Sequence, residues 1–132
     1  MKKFFTIAVA CITSSAACAT PLSDAQGKYV VAFLAANVVA NECRQMGYSL
    51  GAGSMQRFQD KLGVDDRTAL ATLAAAQLAS GQKYNRSDLI PEVTQFLQPT
   101  LTWMLEESGK ADFCETFGDP MVKQGVLQKV HQ

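Results

Sequence analysis

The chain has 132 residues, 48% of them hydrophobic, and its twelve basic side chains balance twelve acidic ones. No basic stripe stands out, so the electrostatic footprint of a nucleic-acid-binding protein is missing. No long block of like charge marks a solvated tail either.

The first residues follow the order of a secretory leader. Lys2 and Lys3 form a positive start, residues 4–12 an apolar core, and Thr13, Ser14 and Ser15 a polar turn. Ala17-Cys18-Ala19 matches the small-x-small cleavage pattern, which places cleavage after Ala19. The apolar run is shorter than the about 20 residues that a bilayer requires. The expectation is therefore a signal peptide at 1–19 and a single domain at 20–132, exported to a bacterial periplasm or secreted. Cys18 offers a variant. It follows Ser15-Ala16-Ala17, much as an acylated lipoprotein cysteine follows small residues, although Ser15 stands where leucine is usual. Acylation at Cys18 would give a lipid-anchored envelope protein, and it is the only route to a membrane in this reading. Losing Lys2 and Lys3 leaves ten basic and twelve acidic side chains, a net charge of −2.

Two of the four cysteines, Cys11 and Cys18, belong to the leader, and the domain keeps Cys43 and Cys114. An even count in an oxidising compartment predicts a disulfide between them. Closing so long a loop is worth roughly 4 kcal/mol on chain-entropy arithmetic.

Within the domain, Ser23 followed by Gln26 is a capping-box pattern. It predicts a first helix running to about Met46 and stopped by Gly47. Residues 29–40 are apolar nearly all round, the pattern of a central buried helix. Ala32, Ala36 and Ala40 give that helix one smooth face, and Asn37, if buried, would need partners. Residues 48–53, with Gly51 and Gly53, read as a loop. Ser54 can cap a second helix with Met55, Phe58 and Leu62 on its apolar face, ended by Gly63. Asp65 caps a third, Asp66 suits its first turn, and an alanine-rich stretch carrying Leu70, Leu73 and Leu78 runs to Gly81. Residues 82–88 are a polar connection.

Pro91 suits a helix first turn. Val93, Phe96, Leu97, Leu101, Met104 and Leu105 then form a stripe through Pro99, which predicts a kinked helix or two helices meeting there. Trp103 is expected in the core or at its rim. Gly109 marks a break. Phe113, Cys114 and Phe117 bury one side of a last segment, and Gly118-Asp119-Pro120 reads as a stop. Beyond it Val122, Val126, Leu127 and Val130 make the apolar side of an amphipathic turn or two, too short to stand alone. That tail either docks on its own bundle, which is favoured because four bare apolar side chains would be sticky, or binds a partner. The fold expected is all-α, a small bundle of four to five helices with one disulfide, Cys43–Cys114.

The chemistry is sparse. His131 is the sole histidine and lies one residue from the end, so no Ser-His-Asp or Cys-His set can form around it. Two cysteines bonded to each other leave no thiolates for zinc. No phosphate-binding glycine motif, haem-attachment motif or EF-hand loop is present, and no cofactor or metal is expected. Carboxylate pairs reduce to neighbours such as Asp65 with Asp66 and Glu106 with Glu107, which diverge on a helix. A rim of charges flanks the cysteines, from Glu42 and Arg44 on one side to Asp112 and Glu115 on the other. The leading expectation is thus a non-enzymatic exported protein that binds another protein as inhibitor, immunity factor, chaperone or secretion accessory. A small carboxylate-dependent enzyme is the remaining alternative.

A first helix ending in a cysteine (29–43), further helices and a late Cys114 together resemble the layout of the pilotins of type II secretion. Those are small helical proteins that bind the C-terminal segment of a secretin. The likeness is one of cysteine placement and helix content, and residues from Met121 onward have no counterpart in it. Periplasmic acid-stress chaperones share the same coarse layout. What the resemblance implies is a helical, disulfide-stapled protein that binds another protein.

Overall fold

A computed structural model describes residues 21–130. The leader, its cleavage site, Cys18 and His131 lie outside the described residues. Five α-helices carry the domain: α1 (Asp24–Glu42), α2 (Ser54–Leu62), α3 (Asp66–Ala79), α4 (Pro91–Glu107) and α5 (Asp119–Lys123). Two three-residue strands, β1 (Tyr48–Leu50) and β2 (Leu127–Lys129), pair antiparallel in the register Tyr48↔Lys129, Ser49↔Gln128, Leu50↔Leu127. The fold is mostly helical but not all-α.

Helix α1 begins at the expected capping box. The Gln26 amide donates to Ser23 Oγ at 3.1 Å, and the Ser23 amide donates to Gln26 Oε1 at 2.9 Å. The helix ends at Glu42, four residues earlier than its composition suggests, with Cys43 as C-cap. A 3₁₀ turn, Arg44–Met46, fills the gap, and Gly47 in the left-handed region (φ 94°) turns the chain into β1.

Being apolar nearly all round, α1 is central, and it carries core on two sides. Toward its N-terminal half, Val30 and Leu34 pack with Ala71 and Ala75 of α3 and Val93 and Leu97 of α4. Toward its C-terminal half, Ala36, Val39 and Cys43 pack with Tyr48, Met104, Phe113, Met121, Val126 and Leu127. Leu101 packs against both clusters. Full burial of a side chain such as Leu97 is worth about 1.5–3 kcal/mol. Asn37 proves exposed, and its amide donates to the Phe33 carbonyl at 2.7 Å.

Asp65 caps α3 by accepting from the Thr68 amide at 3.0 Å. The buried face of α3 is made of Thr68, Ala71, Thr72, Ala74 and Ala75, while Leu70 and Leu73 face solvent. Helix α4 passes through Pro99 as one helix, so the chain does not divide there. Near the proline two hydroxyls bond back to the preceding turn: Thr100 Oγ1 donates to the Phe96 carbonyl at 2.8 Å and Thr102 Oγ1 to the Gln98 carbonyl at 3.1 Å.

Three expectations are corrected in the second half of the chain and around β1. Gly118-Asp119-Pro120 is no stop. Residues Cys114–Gly118 form one turn of π-helix that runs straight into α5, with Pro120 in the first turn of that helix, where its missing N–H costs nothing. The true stop is Gly125 (φ 79°). The helical spacing of Val122, Val126 and Val130 is therefore never realised, because the chain beyond Gly125 extends and becomes β2 instead. Residues 48–50, read as loop, are the strand that β2 needs: extended backbone at 127–129 would otherwise leave its polar groups unpaired. The tail does dock on its own domain. Val126 and Leu127 are buried, Val122 is half-buried and Val130 is exposed.

Candidate functional site

The Cys43–Cys114 disulfide forms as expected, joining the end of α1 to the start of the π turn across a Cα–Cα distance of 5.8 Å. From there the chain continues as a strap, residues 114–123, comprising the π turn and α5. The π turn and α4 both pack on α1, and the strap and α4 touch each other where the Trp103 and Phe117 rings meet edge-on at 5.7 Å.

Between them lies a groove of about 1000 Å³. Gly27, Val31, Ala32 and Ala35 of α1 line it, one face of the central helix. These are small or β-branched side chains, so the neighbouring elements are not filled in from below. Phe96 comes from α4, lying across Gly27 such that a Cβ there would sit at van der Waals distance, 3.7 Å, from Phe96 Cζ. The strap supplies Phe117, Pro120 and Met121. Phe58 of α2 adds a further aromatic wall, and Pro21 and Leu22 line the groove where the described chain begins.

Of the polar lining residues, Asp24, Lys28, Gln95, Thr116 and Gln124 are exposed and Glu92 is half-buried. Asp24 and Glu92 occupy the first turns of α1 and α4, where a carboxylate also suits the helix dipole. Ser23, Lys28, Gln95, Thr116 and Gln124 complete the lining. The ion pairs found among the described residues, Lys110–Glu107 at 2.7 Å and Lys129–Asp119 at 3.8 Å, do not involve the groove's charges. A smaller cleft of about 190 Å³ adjoins it, sharing Pro21, Leu22 and Glu92 and reaching Gln26, Asp65 and Thr68.

Beside the strap a second polar arrangement holds α5 in place. Tyr48 Oη donates to Asp119 Oδ1 at 2.6 Å, and Lys129 Nζ stands 4.7 Å from the centre of the Tyr48 ring. Burial, then the hydrogen bond to Asp119, raises the Tyr48 hydroxyl above its ordinary pKa of 10.0. This is a structural clasp around a buried ring.

The carboxylate pairs are explained by local structure. Asp65 is a helix cap, and its neighbour Asp66 accepts from buried Gln59 at 2.8 Å. Glu107 pairs with Lys110, while Glu106 is exposed. Among the described residues no group of three or more His, Cys, Asp or Glu is placed to hold a metal ion, and no helix is long and apolar enough to cross a membrane. Of the tail residues read as a possible partner surface, Val126 and Leu127 are committed to the core and only Val130 is strongly exposed. The groove itself was not read from the sequence. Its signal lay in the unbroken apolar girth of α1, which presents more apolar face than α3, α4 and the strap together cover. No protein-family model, curated protein or solved structure matches the chain.

Proposed function

We propose that this is an exported, non-enzymatic binding protein that holds an amphipathic helical segment of another protein in the groove between α1, α4 and the strap. The observation that carries the proposal is the groove itself: about 1000 Å³, walled by Phe58, Phe96, Phe117 and Met121, with three charged side chains in its lining, of which Asp24 and Lys28 are exposed and Glu92 half-buried. That volume is at the upper end for a small-molecule site. It suits instead the apolar stripe of a helix, whose anchors at i, i+3, i+4 and i+7 would seat along Val31 and Ala35. Charge in the lining sets polarity. Asp24 and Glu92 stand against Lys28, so the segment that fits best carries basic residues beside its apolar stripe. Trp103, 47% exposed and touching Phe117, belongs to the residue type that most often anchors such interfaces.

Trp103 is the sole tryptophan and reports on the groove through its contact with Phe117, which lines it. The test is a titration with a helix-forming peptide that lacks tryptophan, carries four leucines at helical spacing and is flanked by lysines. The reading expects a saturable change in Trp103 emission, weaker binding by a glutamate-flanked version at low salt, and loss of binding in Val31→Asp. Equal binding by a peptide with scrambled leucines, or no saturable change, would remove the proposal. The lipid-anchored alternative predicts the same groove with an acylated Cys18 at the N-terminus. The intact mass of the exported protein separates the two, since a free Thr20 excludes the lipid.

A further inference from the structure

We infer that the Cys43–Cys114 disulfide is a redox catch on the groove: its reduction releases the wall that carries Phe117 and leaves the rest of the domain folded. The consequence for binding rests on the groove reading above; the release of the wall does not.

The wall is pinned at both ends by contacts that need no disulfide. Just before it Phe113 is buried. Just after it Gly118 lies beneath the Tyr48 ring, and Asp119 accepts the Tyr48 hydroxyl. Between these pins lie residues 114–117. Glu115 and Thr116 are exposed, Phe117 is half-buried, and Cys114 alone is tied covalently to the central helix. These residues are wound as π-helix, a rare form that spreads one turn over an extra residue and gathers at functional sites. The flanking residues are already in the ordinary right-handed helical region, Phe113 at φ −54°, ψ −48° and Asp119 at φ −61°, ψ −44°. Phe117 stacks on Phe113 at 4.9 Å and meets Trp103 edge-on at 5.7 Å, so apart from the bridge these ring contacts hold residues 114–117 against the domain. With the bridge cut, the turn loosens between its pins, and Phe117 swings off the groove and away from Trp103.

The two sulfurs differ in access. Cys43 is 1% exposed, whereas Cys114 is only half-buried. The thiolate of a dithiol reductant attacks Cys114 Sγ, and the Cys43–Cys114 bond breaks. Cys43 leaves as a thiolate and takes a proton from solvent. The second thiol of the reductant then displaces Cys114 from the mixed disulfide, and Cys114 is protonated in turn. Two electrons pass to the protein, and the dithiol departs as its own disulfide.

The experiment compares the oxidised protein with protein reduced by excess dithiothreitol and capped with iodoacetamide. A Cys43→Ala, Cys114→Ala double variant serves as the uncapped control. Without any ligand, amides 115–118 should exchange at least about tenfold faster in the reduced form and the double variant, while 30–39 and 93–104 keep most of their protection. Trp103 emission should move to longer wavelength. The lysine-flanked peptide should bind at least about tenfold more weakly, and Phe117→Ala in oxidised protein should reproduce that loss without reduction. Unchanged exchange at 115–118 would overturn the inference, as would collapse of protection throughout α1 and α4, which would make the bridge a staple of the whole fold. If the oxidised protein does not bind the peptide at all, the groove reading fails, and the exchange data still decide the catch.

Discussion

Tyr48 packs against Gly118 so closely that a Cβ at residue 118 would stand 2.6 Å from Tyr48 Cε1 and 3.0 Å from Cδ1 and Cζ. The ring is only 1% exposed and has no room to step aside. Gly118→Ala should therefore cost about 1–3 kcal/mol, the range for overpacking a core. Urea denaturation checks this: the midpoint should fall while the slope stays unchanged.

The same tyrosine sets the alkaline limit. Its hydroxyl donates to Asp119 Oδ1 at 2.6 Å, and burial first, with that bond second, raises its pKa above 10.0. The folded state thus favours the neutral phenol, whereas the unfolded chain ionises it near its ordinary value. Stability from this source is complete below about pH 10 and is lost as pH rises through the folded pKa. Tyr48→Phe keeps the ring and removes the donor. It should lower stability at pH 7 by about 1 kcal/mol and flatten the decline above pH 10. Some decline should persist, because burial also raises the Tyr29 hydroxyl, which titrates with the same sign. Chemical denaturation at a series of pH values measures both effects.

The tail is fastened by one glycine. Gly47 has φ 94°, and a Cβ there would collide with the Val130 carbonyl oxygen. The Val130 amide meanwhile donates to the Gly47 carbonyl at 3.0 Å. In the native protein the amides of Val126 and Val130 should exchange slowly. Gly47→Ala should cost more than about 1 kcal/mol and speed exchange at Val130, while Val126, bonded to the Met121 carbonyl at 2.9 Å, keeps more of its protection.

At the acid end the matching residue is Asp65. Hydrogen bonds from Thr68, side chain first and then backbone, hold its carboxyl below the usual range. A depressed carboxylate contributes stability that is present above its unfolded pKa and is lost as pH falls through the folded one. Asp65→Ala should cost about 1 kcal/mol at pH 7, the usual worth of an N-cap, and less once the pH has fallen through the folded pKa of Asp65. Thermal melts at pH 7 and pH 2 distinguish these outcomes.

Much of the helical scaffold was legible in the sequence because its signals are local. The Ser23–Gln26 box, the Asp65 cap and Pro91 each place a helix start through bonds or ring geometry within one turn. The Cys43–Cys114 bridge followed from cysteine count. What could not be read depends on distant partners. Leu127 to Lys129 becomes a strand only because Tyr48 to Leu50 lies beside it, and neither triplet has enough residues to display alternation. Gly118-Asp119-Pro120 reads as a break in isolation, but the Tyr48 ring over Gly118 and the Tyr48 hydroxyl on Asp119 hold it helical. In α3 the leucines look like the core face, yet the alanines and threonines are buried, because close approach to α1 and α4 rewards small side chains. The groove belongs to the same class. It arises where Phe96 and Phe117, 21 positions apart in the sequence, flank a smooth part of α1.

The central claim, that the groove between α1, α4 and the strap is the binding surface, is tested most directly by amide and methyl chemical-shift mapping with the lysine-flanked amphipathic peptide. The account predicts saturable shifts at Val31, Ala35, Phe96, Phe117 and Met121, absent in Val31→Asp. Shifts confined to the exposed Leu70 and Leu73 of α3, or to Met46, Leu50 and Val130 around the strand pair, with the groove residues unmoved, would contradict it.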